Sequence, residues 1–175
     1  MKRQKNTHKT KLLLIVIALN KSLPLYANQV CQTDNIEFTS PTSKYIQHTN
    51  GTVTDSQTDL MWYVCSTECP PPTTYTWEEA LGYVEQFNTQ IIFANYTDWR
   101  LPNIRELATL AELQCFRPAI NVSVFPDTLP LHYWSSSPYK FYPHYSWYMN
   151  FEDGVYTYGD RTDKKYIRLV RDAND

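Results

Sequence analysis

The run from residue 96 to residue 113 constrains this chain more than any other, because it joins a compact aromatic turn to an amphipathic helix. It reads Tyr96-Thr97-Asp98-Trp99-Arg100-Leu101-Pro102-Asn103-Ile104-Arg105-Glu106-Leu107 and continues Ala-Thr-Leu-Ala-Glu-Leu. Pro102 disfavours the helical conformation at Leu101, so the chain arrives extended. Asn103 is then placed as an N-cap, with Glu106 three residues on to complete a capping box. Ile104, Leu107, Ala108 and Ala111 keep the i, i+3, i+4, i+7 rhythm, which predicts a helix with that face buried, ending near Gln114. Arg100, between Trp99 and Leu101, is set to stack on the indole and to donate to loop carbonyls. Among such apolar neighbours an arginine is usually paired inside the fold, so the expectation is a structural clamp rather than a ligand-binding group.

Residues 1–27 read as a signal peptide. Lys2, Arg3, Lys5, Lys9 and Lys11 form a basic leader, residues 12–19 are an unbroken apolar run, and Ala27 offers a small cleavage residue. The apolar run is far shorter than the roughly 20 residues a spanning helix needs, so no stable membrane span is expected after cleavage. Six of the 16 Lys+Arg and none of the 18 Asp+Glu lie in that leader, so the rest of the chain carries a formal charge of −8. Such a balance argues against nucleic acid as a partner. The remaining length, about 150 residues, suits one domain with an adequate core.

All four cysteines, Cys31, Cys65, Cys69 and Cys115, lie beyond the leader. An even count in an exported chain reads as two disulfides. Three connectivities are open, and the expected one closes a short Cys65–Cys69 loop and a long-range Cys31–Cys115 tie. A metal site would need thiolates in a reducing setting and a histidine at ligand spacing, which the Cys65/Cys69 pair lacks.

Residues 28–43 are polar, contain Pro41 and read as an extended arm. Residues 44–48 and 52–54 read as a hairpin around Asn50-Gly51, and residues 60–63 as a further strand. Pro70, Pro71 and Pro72 make the following stretch a loop. Thr76 with Glu79 forms a second capping box, heading a helix whose stripe is Trp77, Ala80, Leu81, Val84 and Phe87. Gly82 in mid-helix suggests close packing there. Residues 118–131 form a long connection whose Ile120, Val124, Phe125 and Leu129 should pack on the body. The last third reads as strands at 132–137, 146–151, 155–158 and 166–171, with the last three forming one antiparallel sheet and Trp147, Met149 and Phe151 sharing a face. The fold class is therefore α+β, with antiparallel sheets, two amphipathic helices and long loops.

Six motifs stand in a characteristic order: Gly51-Thr52-Val53-Thr54-Asp55, Thr58-Asp59-Leu60-Met61-Trp62, Thr76-Trp77-Glu78-Glu79-Ala80-Leu81, Asp98-Trp99-Arg100-Leu101-Pro102-Asn103 with Glu106-Leu107, Tyr133-Trp134-Ser135-Ser136-Ser137, and Arg168-Leu169-Val170-Arg171. Together they resemble the Lcl C-terminal domain family over residues 44–172. The resemblance implies a bacterial exported domain with a fold similar to C-type lectins. It also implies a relation to a collagen-like adhesin whose C-terminal domain binds sulfated polysaccharides and trimerises. Within those motifs Trp62, Trp77, Trp99, Arg100, Asn103 and Trp134 are expected to be structural. Asp59 stands where the family usually has Gly, in a conformation Asp tolerates better than most residues. The sequence contains no Gly-X-Y tract, so the trimerising stalk is missing, and the −8 charge does not favour a polyanion.

The sequence carries little that points to catalytic chemistry. Ser135, Ser136 and Ser137 lack a strand–elbow–helix setting, and their hydroxyls are expected to satisfy backbone groups beside Trp134. Asp160 and Asp163 flank a turn but do not match a calcium loop, and the sugar-site triplets of calcium-dependent lectins are absent. Formylglycine-generating enzymes use a related fold, but this chain is too short for that family. No cofactor, metal or catalytic group is implied, and the chain is read as a non-enzyme. The candidate binding residues are Tyr139, Lys140, Tyr142, His144 and Tyr145, an aromatic loop of a kind suited to recognition, and Arg161, Lys164 and Lys165, the local basic cluster. The expected function is an exported module, periplasmic or at the cell surface, that recognises a glycan or a cell-surface protein. A component of an envelope assembly is the alternative, and a hydrolase a more distant one. Oligomeric state is left open.

Overall fold

A computed structural model describes residues 29–34, 36–64 and 72–174. The leader at 1–27 and the Cys65–Cys69 pairing lie outside the described residues. In chain order the elements are β1 (Val30–Cys31), β2 (Tyr45–Gln47), β3 (Thr52–Asp55), β4 (Leu60–Tyr63), α1 (Trp77–Gln86), α2 (Ile104–Ala108), β5 (Cys115–Phe116), β6 (His132–Pro138), β7 (Tyr145–Asn150), β8 (Val155–Asp160) and β9 (Val170–Asp172).

Local sequence explains most of these boundaries. Gly51 turns β2 into β3 at φ 80°, and a Cβ there would lie 2.8 Å from Phe93 Cζ, so only glycine fits without displacement. Asn50 Oδ1 closes the same turn by accepting from Thr52 Oγ1 at 2.7 Å. Asp59 adopts φ 54° between β3 and β4, the left-handed conformation anticipated for it. Both capping boxes form: Thr76 with Glu79 at α1, and Asn103 with Glu106 at α2.

The described strands build three antiparallel sheets, ordered β1-β5, β2-β3-β4-β9 and β6-β7-β8. The terminal strand departs from expectation. It does not extend the meander but pairs with β4, in the register Leu60↔Asp172, Met61↔Arg171 and Trp62↔Val170. The segment before it only touches the meander, through a single parallel bridge between Tyr133 and Tyr166. Burial accounts for the choice. Successive side chains of a strand face opposite ways, and β4 and the terminal segment share this pattern. Trp62 and Val170 enter one core cluster with Leu107, Phe125 and Met149, while Met61 and Leu169 enter a second with Trp99 and Trp134. A partner apolar on both faces belongs in the middle of the molecule, not at the meander's rim.

The helices are less equal than the periodicity suggests. Ala80 and Phe87 of the α1 stripe are buried and Val84 packs on the core as expected, but Leu81 is 39 % exposed and Tyr83 packs in its stead. Nothing lies within 4 Å of a Cβ built at Gly82, so the close packing expected there is not found. Gly82→Ala should therefore stabilise the fold by about 0.5–1 kcal/mol in urea titration; destabilisation would contradict this open environment. The second helix stops at Ala108, well short of Gln114. Its continuation is diverted by tertiary contacts: Glu112 N donates to Ala119 O, and the buried Glu112 carboxylate accepts from Thr39 N at 3.0 Å and Ser40 N at 2.9 Å. That carboxylate docks the N-terminal arm, and the Cys31–Cys115 disulfide fixes it. The result is an α+β fold with one main helix and a single-turn companion. Ile120, Val124, Phe125 and Leu129 pack the long connection onto the core as expected.

Candidate functional site

Two sets of aromatic residues differ in burial, and the open set is the candidate site. The motif tryptophans are interior. Trp62, Trp99 and Trp134 are almost wholly buried. The Trp134 indole N–H donates to Tyr75 O at 2.9 Å, and Trp77, half-buried, donates to Ser135 O at 2.9 Å. Asn88 brackets Trp99, accepting from its N–H at 2.9 Å and donating to its C=O at 2.7 Å.

Arg100 is paired within the fold, though not as its neighbours suggested. Its guanidinium makes a fork with Glu106, at 2.7 and 2.9 Å, and reaches Asp172 at 3.2 Å. Carboxylates, rather than the Trp99 face and loop carbonyls, are its partners, and the Glu106 contact holds the guanidinium above its ordinary pKa. The same Glu106 caps Asn103 N, so one carboxylate joins the arginine to the helix start. Arg171 completes the cross-link with Nε donating to Asp98 at 2.8 Å and its guanidinium over the Tyr96 ring at 3.9 Å. The Asp98–Asn103 motif and the Arg168–Arg171 motif are thus two halves of one clamp. Arg168 is buried and donates to Tyr63 O and Thr128 Oγ1. The serines are structural as well: Ser135 Oγ donates to Trp147 O at 2.7 Å, and Ser137 Oγ accepts from Ile104 N at 3.0 Å.

The basic residues do not form the shared patch that sequence suggested. Lys165 is buried between the Trp134 and Tyr148 rings, with Nζ 4.4 and 4.5 Å from their centroids and 2.9 Å from Asp163. Arg161 lies over Trp77 at 4.1 Å and donates to Ser146 Oγ at 2.8 Å. Lys164 alone of the three is exposed, 3.8 Å from Glu79. Asp160 accepts from Thr162 N at 2.9 Å in an ordinary polar turn, which lowers its pKa.

The aromatic loop is a different matter. Strand β6 ends at Pro138, which pairs with Ser146 across an irregular register. The connection turns back through Tyr139 N donating to Tyr145 O at 3.0 Å, and Tyr145 N to Tyr142 O at 2.9 Å. This lays Tyr139 flat on Tyr158 of β8, with centroids 4.0 Å apart and planes 16° from parallel. Tyr139 also stands over Trp147 at 5.2 Å and next to Tyr142 at 6.0 Å, while Tyr145 lies 5.8 Å from Tyr158. The faces stay open: Phe141, Tyr142, Tyr156 and Tyr158 are 65, 51, 53 and 41 % exposed. Lys140 sits 4.7 Å over Phe141, and exposed His144 lies 4.5 Å from Tyr145. Desolvation among the rings, then the hydrogen bond to Tyr158, raises the Tyr139 phenol above its ordinary pKa. Of the residues picked from sequence, Tyr139, Tyr142, Tyr145, His144 and Lys140 come together. Tyr156 and Tyr158 were missed, although their period-two spacing opposite Trp147 marks them as one face.

The domain is α+β, its motif residues engaged in clamps and caps and its open aromatic surface carried by the β6–β7 connection and β8. The profile of the Lcl C-terminal domain matches residues 51–171, and the chain belongs to that family. No curated protein matches the chain. Among the described residues, no helix is long and apolar enough to cross a membrane. The Cys31–Cys115 disulfide fits an exported protein.

Proposed function

We propose that this is an exported, non-catalytic binding module with a C-type-lectin-like frame, acting in the periplasm or at the cell surface, and that its ligand is a glycan. The reading rests on one observation: the mutually stacked, half-open rings of Tyr139, Tyr142, Tyr145 and Tyr158. Stacking holds each ring before any ligand arrives, so little side-chain entropy is lost on binding. The apolar face of a sugar ring fits such a surface, and the phenol oxygens supply hydrogen bonds at its rim. The non-catalytic part of the reading is supported by the engagement of Ser135 and Ser137 with backbone groups.

A glycan array tests the proposal. Hits with the wild-type protein should weaken by about tenfold or more, roughly 1.4 kcal/mol, in Tyr142→Ala and in Tyr145→Ala. With Lys165 buried and Arg161 engaged, affinity for the hits should change by less than about threefold between low and high salt. An array without hits, or hits unaffected by both substitutions, would overturn the glycan reading; steep salt dependence would point instead to a polyanion.

A further inference from the structure

Among the described residues, a free strand edge borders the aromatic platform. Strand β8 is the outer strand of the β6-β7-β8 sheet. Its orientation follows from the ladder. Arg161 N donates to His144 O at 2.9 Å, and the β7–β8 register pairs Ser146 with Gly159, Tyr148 with Thr157 and Asn150 with Val155. Hydrogen-bonded and non-hydrogen-bonded pairs alternate in an antiparallel ladder. The N–H and C=O groups of Val155, Thr157 and Gly159 therefore face β7, and those of Tyr156 and Tyr158 face outward. Exposed edges of this kind are normally blunted by lysine, proline, a bulge or an inward-pointing charge. Residues 155–159, Val-Tyr-Thr-Tyr-Gly, contain no such residue and pair with β7 without a bulge.

We propose that β8 pairs with β8 of a second copy of this chain, antiparallel about a two-fold axis, to give a six-stranded sheet. One register stands out. With Tyr156 opposite the partner's Tyr158, and the reverse, the outward groups make four backbone hydrogen bonds and two cross-strand tyrosine pairs. The same register brings no like charges face to face: exposed Asp153 falls opposite the backbone of the partner's Arg161, whose guanidinium is held over Trp77. The two adjacent registers that keep the hydrogen-bond parity fail on charge. One places Glu152 opposite Asp160, the other Asp153 opposite Asp163, and like charges facing each other across strands are unfavourable. The charge pattern at the two ends of β8 thus selects a self-complementary alignment. In it the two aromatic faces lie on the same side of the joined sheet, forming one continuous strip across the axis. The contact is small, below the roughly 1,200 Å² of a standard interface, so the dimer is reversible and weak. This inference is independent of what the platform binds.

Sedimentation velocity of the purified protein across tens to hundreds of micromolar tests it. The wild-type chain should show a monomer–dimer equilibrium. Tyr156→Pro removes an outward N–H without touching the ladder to β7 and should weaken association about tenfold or more, whereas Tyr156→Phe should associate as wild type does. Asp153→Lys, in an exposed turn, should weaken it as well, which keeps the test valid if the proline variant loses its fold by circular dichroism. A monomer at every concentration, a higher oligomer, a dimer indifferent to Tyr156→Pro in a folded variant, or one indifferent to Asp153→Lys would overturn the proposal.

Discussion

Asp55→Ala is expected to cost about 3–5 kcal/mol, because it strands a buried ammonium group. Lys44 Nζ lies 3.1 Å from Asp55 Oδ2, and the two side chains are 5 and 0 % exposed. Lys44 also donates to Thr109 O at 2.9 Å, where α2 unwinds, and Asp55 Oδ1 accepts from Gln57 N at 2.9 Å. The pair therefore joins the β2–β3 hairpin to the helical side of the core. Removing the carboxylate leaves the ammonium with the Thr109 carbonyl and the Tyr45 ring, whose centroid it overlies at 5.2 Å. Urea titration should show the loss, and the melting temperature should fall by about 10 °C or more. The double replacement Lys44→Met with Asp55→Leu should recover more than half of it, because desolvating two charges already offsets much of their attraction. A cost below about 1 kcal/mol for Asp55→Ala would mean that water reaches the pair.

The second large effect is expected from Cys31→Ser combined with Cys115→Ser, or from reduction. The bond spans 84 residues of sequence. Chain-entropy reasoning for a loop of that size gives about 4.6 kcal/mol, with about 2–4 typical of measured cases. The arm it holds is otherwise tied by polar contacts: Gln29 Nε2 to Pro118 O and Ile120 O, both at 2.7 Å, Gln32 N to Gln114 O at 2.9 Å, and the Glu112 contacts to Thr39 and Ser40. Denaturant titrations with and without reductant should differ by that amount. The aromatic platform, at the other end of the meander's connections, should bind as before wherever the reduced protein is folded. A difference below about 1 kcal/mol would show that the arm is held by its hydrogen bonds alone.

What the chain discloses locally and what it conceals follow the range of the interactions. Caps, the Gly51 turn and the left-handed Asp59 depend on neighbours within three residues, so their residue types reveal them. The aromatic loop was legible for the same reason, being continuous in sequence. The end of α2 was not, because Glu112 is turned aside by the arm seventy-odd residues earlier in the chain. The placement of β9 was hidden for a related reason: its apolar alternation suits any two-faced site, and only the burial of β4 decides between them. Lys165 was misplaced because nothing local distinguishes a lysine in a turn from one enclosed by Trp134 and Tyr148, residues brought to it by the meander. Arg100 pairs with Glu106 rather than with the Trp99 face and loop carbonyls, since Glu106 lies within reach only once the cap has formed.

These distinctions carry the division of labour proposed above, in which tryptophans and arginines hold the frame and tyrosines on the β6–β7 connection and β8 are the proposed ligand contacts. Nuclear magnetic resonance titration with an oligosaccharide selected on the array tests that division most directly. Saturable shifts are predicted at Tyr139, Tyr142, Tyr145 and Tyr158, with the Trp62, Trp99 and Arg100 signals unmoved. Shifts centred on Trp99, Arg100 and Glu106 would contradict it.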